Sequence, residues 1–224
     1  MHTNTATVAE IRSDYRGNSV ARLVSSSILT PAPGQYLLAL DDDCLLPHPL
    51  YFASSCQQGF LTAPPIPPAW MPGTILSLRG PLGKGFNLPT TTQKLMLVAL
   101  GSTVSRILSV GISALQRDIA VTLYADPPLP PLPSSIEAYP LSLISESLHW
   151  ADFLIMDIPI ESFPYWRQYF GLASDEPLSF PGQALIVSAM PCGGLAECGV
   201  CAIPYRRSWK LCCKDGPVFN LEDL

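Results

Sequence analysis

Apolar residues in this chain fall into short runs divided by turns rich in proline and glycine. In the first third, residues 18–29 and 33–40 read as strands broken at Pro33-Gly34. Residues 72–79 read as a further strand that runs into the glycine-rich segment 80–86. Residues 1–16 are polar and mixed in charge and predict no clear element beyond a first strand. The pattern then changes. Residues 95–100, Leu-Met-Leu-Val-Ala-Leu, form an unbroken apolar run, as expected of a parallel strand covered on both faces. Residues 103–116 carry helical spacing and 119–124 a second strand, so this region predicts a strand–helix–strand unit with a right-handed crossover. Residues 134–150 read as a mixed strand and short helix, and 151–158 as another buried strand. Residues 164–171 predict a short helix whose Tyr165, Trp166, Tyr169 and Phe170 suit a core better than a cofactor platform, and 184–188 is the last strand.

Composition narrows the reading. Hydrophobic residues make up 48% of the 224 and charged residues only 14%, below the usual quarter, which suggests surface buried against another subunit. The net charge of -5 with no basic block argues against a nucleic-acid partner. The 24 prolines sit in short clusters, as in rigid loops. Residues 95–115 are weakly polar enough to suggest a membrane span, but Arg106 lies at their centre. An arginine there costs about 2.5–3.5 kcal/mol on insertion, so a buried strand and helix fit better. With no secretory pattern in residues 1–16, the expected location is cytoplasmic, with no membrane partner. His2, His48 and His149 are the only histidines, and no nucleophile elbow, metalloprotease histidine pair or Walker loop occurs. No catalytic residue is assigned.

The chemical signal lies at the end of the chain. Five of the seven cysteines fall between Cys192 and Cys213, and an odd number gathered at one end favours a metal over a disulfide framework. Cys192, Cys198 and Cys201 share one loop, and the pair Cys212-Cys213 follows on a returning segment. Three thiolates from a loop and a fourth from elsewhere suit a [2Fe-2S] cluster. Gly193, Gly194 and Gly199 let the backbone turn so that N–H groups face the sulfurs. A four-cysteine zinc site is the other chemistry open to such a set of thiolates. Zinc ribbons bring two Cys-x-x-Cys knuckles, whereas here one such pair has a lone cysteine on each side, which favours iron–sulfur. Arg206, Arg207, Lys210 and Lys214 would favour the reduced cluster. Cys44 and Cys56 read as buried apolar residues, and Asp41-Asp42-Asp43 as a solvated hairpin tip.

Met190-Pro191-Cys192-Gly193, Cys198-Gly199-Val200-Cys201 and Cys213-Lys214-Asp215-Gly216-Pro217-Val218-Phe219 resemble the C-terminal end of the electron-transfer (iron–sulfur flavoprotein) subunit of dihydroorotate dehydrogenase. Pro33-Gly34-Gln35 and Gly80-Pro81-Leu82-Gly83-Lys84-Gly85-Phe86 extend the resemblance over most of the chain. The resemblance implies a ferredoxin-reductase-like two-domain fold, a β-barrel plus α/β, with a C-terminal [2Fe-2S] module. The expected segments are a flavin-type barrel over 1–90, an α/β nucleotide-type domain over 91–184 and the cluster module over 185–224. Carried over by position, the ligands are Cys192, Cys198, Cys201 and Cys213. Cys213 is chosen over Cys212 because Lys-Asp-Gly-Pro follows it directly. The first cysteine gap holds five residues where the family usually has four, an excess that a bulge would absorb.

The nucleotide motifs depart further. Where the family places Arg-Pro-x-Ser for FAD, this chain has His48-Pro49-Leu50-Tyr51, and the Pro-rich residues 57–71 replace further flavin contacts. Where the family has Gly-Gly-x-Gly for NAD, this chain has Leu100-Gly101-Ser102-Thr103. No residue is therefore assigned to FAD or NAD. The expectation is a divergent, cytoplasmic electron-transfer subunit that relays single electrons through its cluster to or from a flavin-bearing partner. The alternative is a structural or regulatory subunit with zinc in the cysteine loop.

Overall fold

A computed structural model of the chain describes residues 3–25, 30–42, 45–173, 176 and 178–224. Six strands close a barrel: β1 (Thr3–Ser13), β2 (Ser19–Val24), β3 (Tyr36–Leu40), β4 (His48–Cys56), β5 (Gly59–Ala63) and β6 (Ile75–Leu82). Their order around it is β1-β2-β5-β4-β3-β6, with every neighbouring pair antiparallel. Alternation builds the barrel interior: Ala21 and Leu23 of β2 and Leu76 and Leu78 of β6 turn inward while Ser77 faces out. β3 departs from alternation for a physical reason. Leu37 and Ala39 fill the barrel, while Tyr36 and Leu38 enter a second core shared with the rest of the molecule. The hairpin β4–β5 occupies residues that the sequence pattern left without strands. Polar Ser54, Ser55, Gln57 and Gln58 mask it, and Gln58 turns it with a φ of 59°.

The second half is a strand–helix layer: β7 (Lys94–Ala99), α1 (Ser105–Leu115), β8 (Ala120–Tyr124), β9 (Ile136–Tyr139), α2 (Ile144–Ser147), β10 (Phe153–Pro159), α3 (Trp166–Tyr169) and β11 (Gly182–Val187). The chain then forms a hairpin of β12 (Ala202–Tyr205) and β13 (Ser208–Leu211), a single turn α4 (Cys212–Asp215) and β14 (Val218–Asn220). The sheet order is β14-β11-β10-β7-β8-β9, parallel except for β14, which pairs antiparallel with β11. The unbroken apolar run at β7 is accounted for, because residues 95–99 are all buried. Trp166 and Phe170 pack edge to face in the core with ring centroids 5.8 Å apart, while Tyr165 and Tyr169 remain exposed.

Two expectations from the first third need correction. Asp41 is buried and accepts a hydrogen bond from the Trp70 indole, a partner that a buried indole N–H requires. Only Asp42 of the triplet is seen exposed; Asp43 lies outside the described residues, as does Cys44. Cys56 ends β4 half-buried instead of in the core.

The junction after β6 joins the halves. A side chain at Gly83, where φ is 75°, would meet Pro217 at 2.4 Å, and Lys84 N–H donates to the Gly216 carbonyl at 2.8 Å. The glycine-rich turn is thus shaped by the C-terminal Gly216-Pro217. Arg106 makes the second link. Its guanidinium is 3% exposed, donates to Asp157 Oδ2 on β10 at 2.9 Å, and reaches the Pro64 carbonyl beyond β5. Burial pushes the Asp157 carboxyl up against the pull of Arg106, so the pair links the halves at a desolvation cost.

Arg106→Met leaves Asp157 buried without its cation and should lower unfolding stability by about 3–5 kcal/mol. Adding Asp157→Leu should recover most of that loss. Urea unfolding of both variants checks it, and a double variant no more stable than the single one would show that the pair is not the source.

Candidate metal centre

β11 carries the chain out of the sheet through Ser188 to Met190, which is 1% exposed and seats the loop that follows. The loop turns sharply. Gly193, Gly194 and Ala196 have φ of 62°, 72° and 65°, so three left-handed residues fall within the five between Cys192 and Cys198. Gly193 N–H bonds back to the Met190 carbonyl at 2.9 Å and Leu195 N–H to that of Cys192 at 3.3 Å. Cys201 enters β12 and Cys212-Cys213 leave β13. The ladder of this hairpin, extended by Cys212 N–H to the Cys201 carbonyl at 3.0 Å, brings the returning segment back to the loop.

Cys192 lies beside Cys198 and Cys213 beside Cys201, and Cys213 also feels the charge of Cys192. The Ala196 N–H points at the sulfurs of both Cys192 and Cys213, which ties one pair to the other. Cys212 is buried beside Ser188 and also feels the charges of Cys201 and Cys213. Among the described residues, no three His, Cys, Asp or Glu side chains converge as ligands of a single ion. Four thiols as the donor set suit a [2Fe-2S] cluster and a zinc tetrahedron alike.

The electrostatics differ within the set. The Glu197 N–H first, then those of Cys198 and Ala196 with the Cys198 thiol, hold Cys192 down to about 6 against partial burial. Burial, then the Cys201 thiol, pushes Cys213 up to about 12, and burial likewise raises Cys212 to about 12. Backbone N–H groups thus favour a thiolate at the outer end of the loop, while the inner thiols need a metal to deprotonate them. Of the four cations singled out in the sequence, Arg206 pairs with Asp223 and Lys210 with Asp215 at 3.6 Å. Arg207 and Lys214 are left without carboxylate partners among the described residues.

The barrel clamps both parts of this centre. The Tyr36 hydroxyl of β3 donates to the Cys213 carbonyl at 3.1 Å, and the Arg79 guanidinium of β6 donates to the Gly193 carbonyl. A side chain at Gly194 would meet the Tyr36 hydroxyl at 3.3 Å and Arg79 at 3.4 Å. Sequence reasoning did not find Tyr36, Arg79 or Ala196. Tyr36 stood in the Pro-Gly-Gln-aromatic stretch, where its residue type was the one available signal.

Beside the centre, a cleft of about 500 Å³ opens between β4 and the carboxyl ends of β7, β10 and β11. Ser188, Met190 and Pro191 form the wall it shares with the cysteine loop. Tyr51, whose buried hydroxyl has no partner among the described residues, lies on the barrel side. An FAD pyrophosphate would need a cation here. His48 is bonded to the Pro65 carbonyl, and burial holds its ring below the usual histidine range, so it is neutral near pH 7. Arg106 is engaged by Asp157. The cleft has room for a flavin ring, but its described lining presents no free cation for the pyrophosphate.

A family model described as the iron-sulfur cluster binding domain of dihydroorotate dehydrogenase B matches residues 188–224. No curated protein matches the chain. Among solved structures, the NADH-dependent reduced ferredoxin-NADP oxidoreductase studied for flavin-based electron bifurcation superimposes with a TM-score of 0.71 at 16% identity, covering 100% of this chain and 90% of that one. Phthalate dioxygenase reductase, described as a modular structure for electron transfer from pyridine nucleotides to [2Fe-2S], gives 0.60 at 12% identity over 99% and 77%. The ferredoxin reductase in carbazole 1,9a-dioxygenase gives 0.61 at 16% over 78% and 68%.

Arg79→Met removes one barrel clamp. The Gly193 and Leu195 amides should then exchange faster, with a loss of about 1–3 kcal/mol in stability. Exchange in this loop that matches the unaltered protein would exclude Arg79 as its anchor.

Proposed function

We propose that this chain, a ferredoxin-reductase-like protein whose residues 188–224 belong to the dihydroorotate dehydrogenase B iron–sulfur domain family, is an electron-transfer subunit that relays single electrons through a [2Fe-2S] cluster. The observation that carries this reading is the gathering of Cys192, Cys198, Cys201 and Cys213 in the segment that matches the iron–sulfur domain, with backbone N–H groups turned toward Cys192 and Cys213. Cys192 and Cys198 would hold one iron, and Cys201 and Cys213 the other. When bound, the cluster supplies reversible one-electron redox chemistry.

The remaining roles belong to the chain. The Ala196, Glu197 and Cys198 N–H groups donate toward sulfur and offset the negative charge gathered there. Buried Met190, Ile203 and Phe219 keep water from the inner side. Tyr36 and Arg79 fix the backbone carbonyls of the two ligand segments, so little reorganisation accompanies a change of charge. Cys198 is exposed on the outer side and flanked by exposed Leu195 and Val200, which gives electrons a short way out at an apolar surface suited to a second subunit.

The partner supported by this reading is a flavin-bearing catalytic subunit of the dihydroorotate dehydrogenase type, and the location is the cytoplasm. No described helix is long and apolar enough to cross a membrane.

Protein purified without air should absorb broadly through the visible, bleach with dithionite and contain two irons per chain. Cys213→Ser should abolish that spectrum and Cys212→Ser should retain it. Colourless protein with stoichiometric zinc would overturn the electron-transfer reading, and the reverse result for the two serine variants would overturn the fourth ligand.

A further inference from the structure

The cleft beside the cysteines is built like a small-molecule site. Its volume of about 500 Å³ falls within the range of ligand pockets, which set a few polar groups among apolar walls. Here the walls are Pro47, Pro49, Pro65 and Pro67 on the barrel side and Pro159 and Val187 on the sheet side. One polar group in this lining is unspent. Tyr51 is 4% exposed, and its hydroxyl has no hydrogen-bond partner among the described residues. Burial pushes that hydroxyl well above the usual tyrosine range against the pull of Arg106, so it stays protonated and is an O–H donor. A buried donor left unpaired costs about 1–3 kcal/mol, which an acceptor on a ligand would recover. The ring is held in place, with that of Tyr36 at 6.1 Å between centroids and the Arg106 guanidinium 6.0 Å from its centroid.

The rest of the described lining favours an uncharged occupant. His48 is neutral near pH 7, Arg106 is paired with Asp157, and Glu161 places a carboxyl group in the wall. The mouth is apolar. Leu46 lines the cleft and is 59% exposed, and the adjoining Leu45 is 97% exposed, so a substituent leaving the cleft meets hydrocarbon.

We propose that this cleft binds a substituted quinone, an uncharged planar ring that offers a carbonyl oxygen to the Tyr51 hydroxyl and carries an apolar substituent out past Leu46. The site does not rest on the electron-transfer reading, because none of the assigned cysteines lines it. On that reading, Ser188 and Met190 are the wall between the ring and the thiols.

The test uses the whole protein as purified, with duroquinone and decylubiquinone as probes, since their fully substituted rings do not add to thiols. Each should quench tryptophan fluorescence saturably, because Trp70 packs edge to face on His48 of the cleft wall with ring centroids 6.2 Å apart. Decylubiquinone, which has the apolar tail, should bind more tightly. Tyr51→Phe keeps the ring and removes the donor, so affinity should fall about three- to tenfold, the scale of one hydrogen bond. Ser102→Trp, at an exposed position in the lining, should fill the cleft and abolish saturation, with circular dichroism showing that both variants fold. Affinity unchanged in both variants would place the quinone elsewhere on the surface and overturn the proposal. So would an absence of saturable quenching, which leaves the Tyr51 hydroxyl to a water, or FAD binding more tightly than either quinone. Protein without iron that binds quinone would sink the electron-transfer reading and leave this site standing, and iron-bearing protein that refuses quinone would do the reverse.

Discussion

The grip of the barrel on the cysteine segments is the constraint on which the rest of the arrangement depends. The loop after β11 and the turn after β13 each carry ligands, yet neither is fixed by its own hydrogen bonds alone. Tyr36 holds the carbonyl of Cys213 and Arg79 that of Gly193, and both reach out of the same barrel wall. Two segments anchored to one rigid body keep a fixed separation, which is what paired thiols require if two metals are to sit between them. Without the barrel, the loop with its left-handed residues Gly193, Gly194, Ala196 and Gly199 would lose backbone entropy for little return.

Cys212 and Cys213, though adjacent, differ: Cys213 lies against Cys201, while Cys212 is fully buried beside Ser188. Ser188 and Met190 form the wall between the cysteine centre and the inter-domain cleft, so the cleft and the centre are neighbours through a single layer of side chains. A redox group placed in that cleft by a partner would lie close to the thiols without needing a phosphate site in this chain.

The parts of the fold legible in the sequence were those set by local pattern. β7 and β10 read clearly because both faces are covered, which leaves unbroken apolar runs at residues 95–99 and 153–156. The cysteines stood out as candidates because ligand spacing is itself local. The β4–β5 hairpin did not, since its polar rim and prolines imitate a loop. β14 is only three residues long and exists because β11 offers it an edge. Ala196 was hidden because alanine carries no signal for positive φ. The clamps Arg79 and Tyr36 lie 114 and 177 residues from the carbonyls they hold, a distance over which no periodicity speaks.

Arg106 shows how one residue can carry opposite messages at the two levels. In the sequence it excludes a membrane span; in the structure it is buried as deeply as the apolar core around it. The difference is its partners. Asp157 and the Pro64 carbonyl supply what hydrocarbon would not, and the charge thereby joins the sheet to the barrel. In doing so it packs against Gly101, so the one guanidinium of the described cleft lining is spent on joining the two halves.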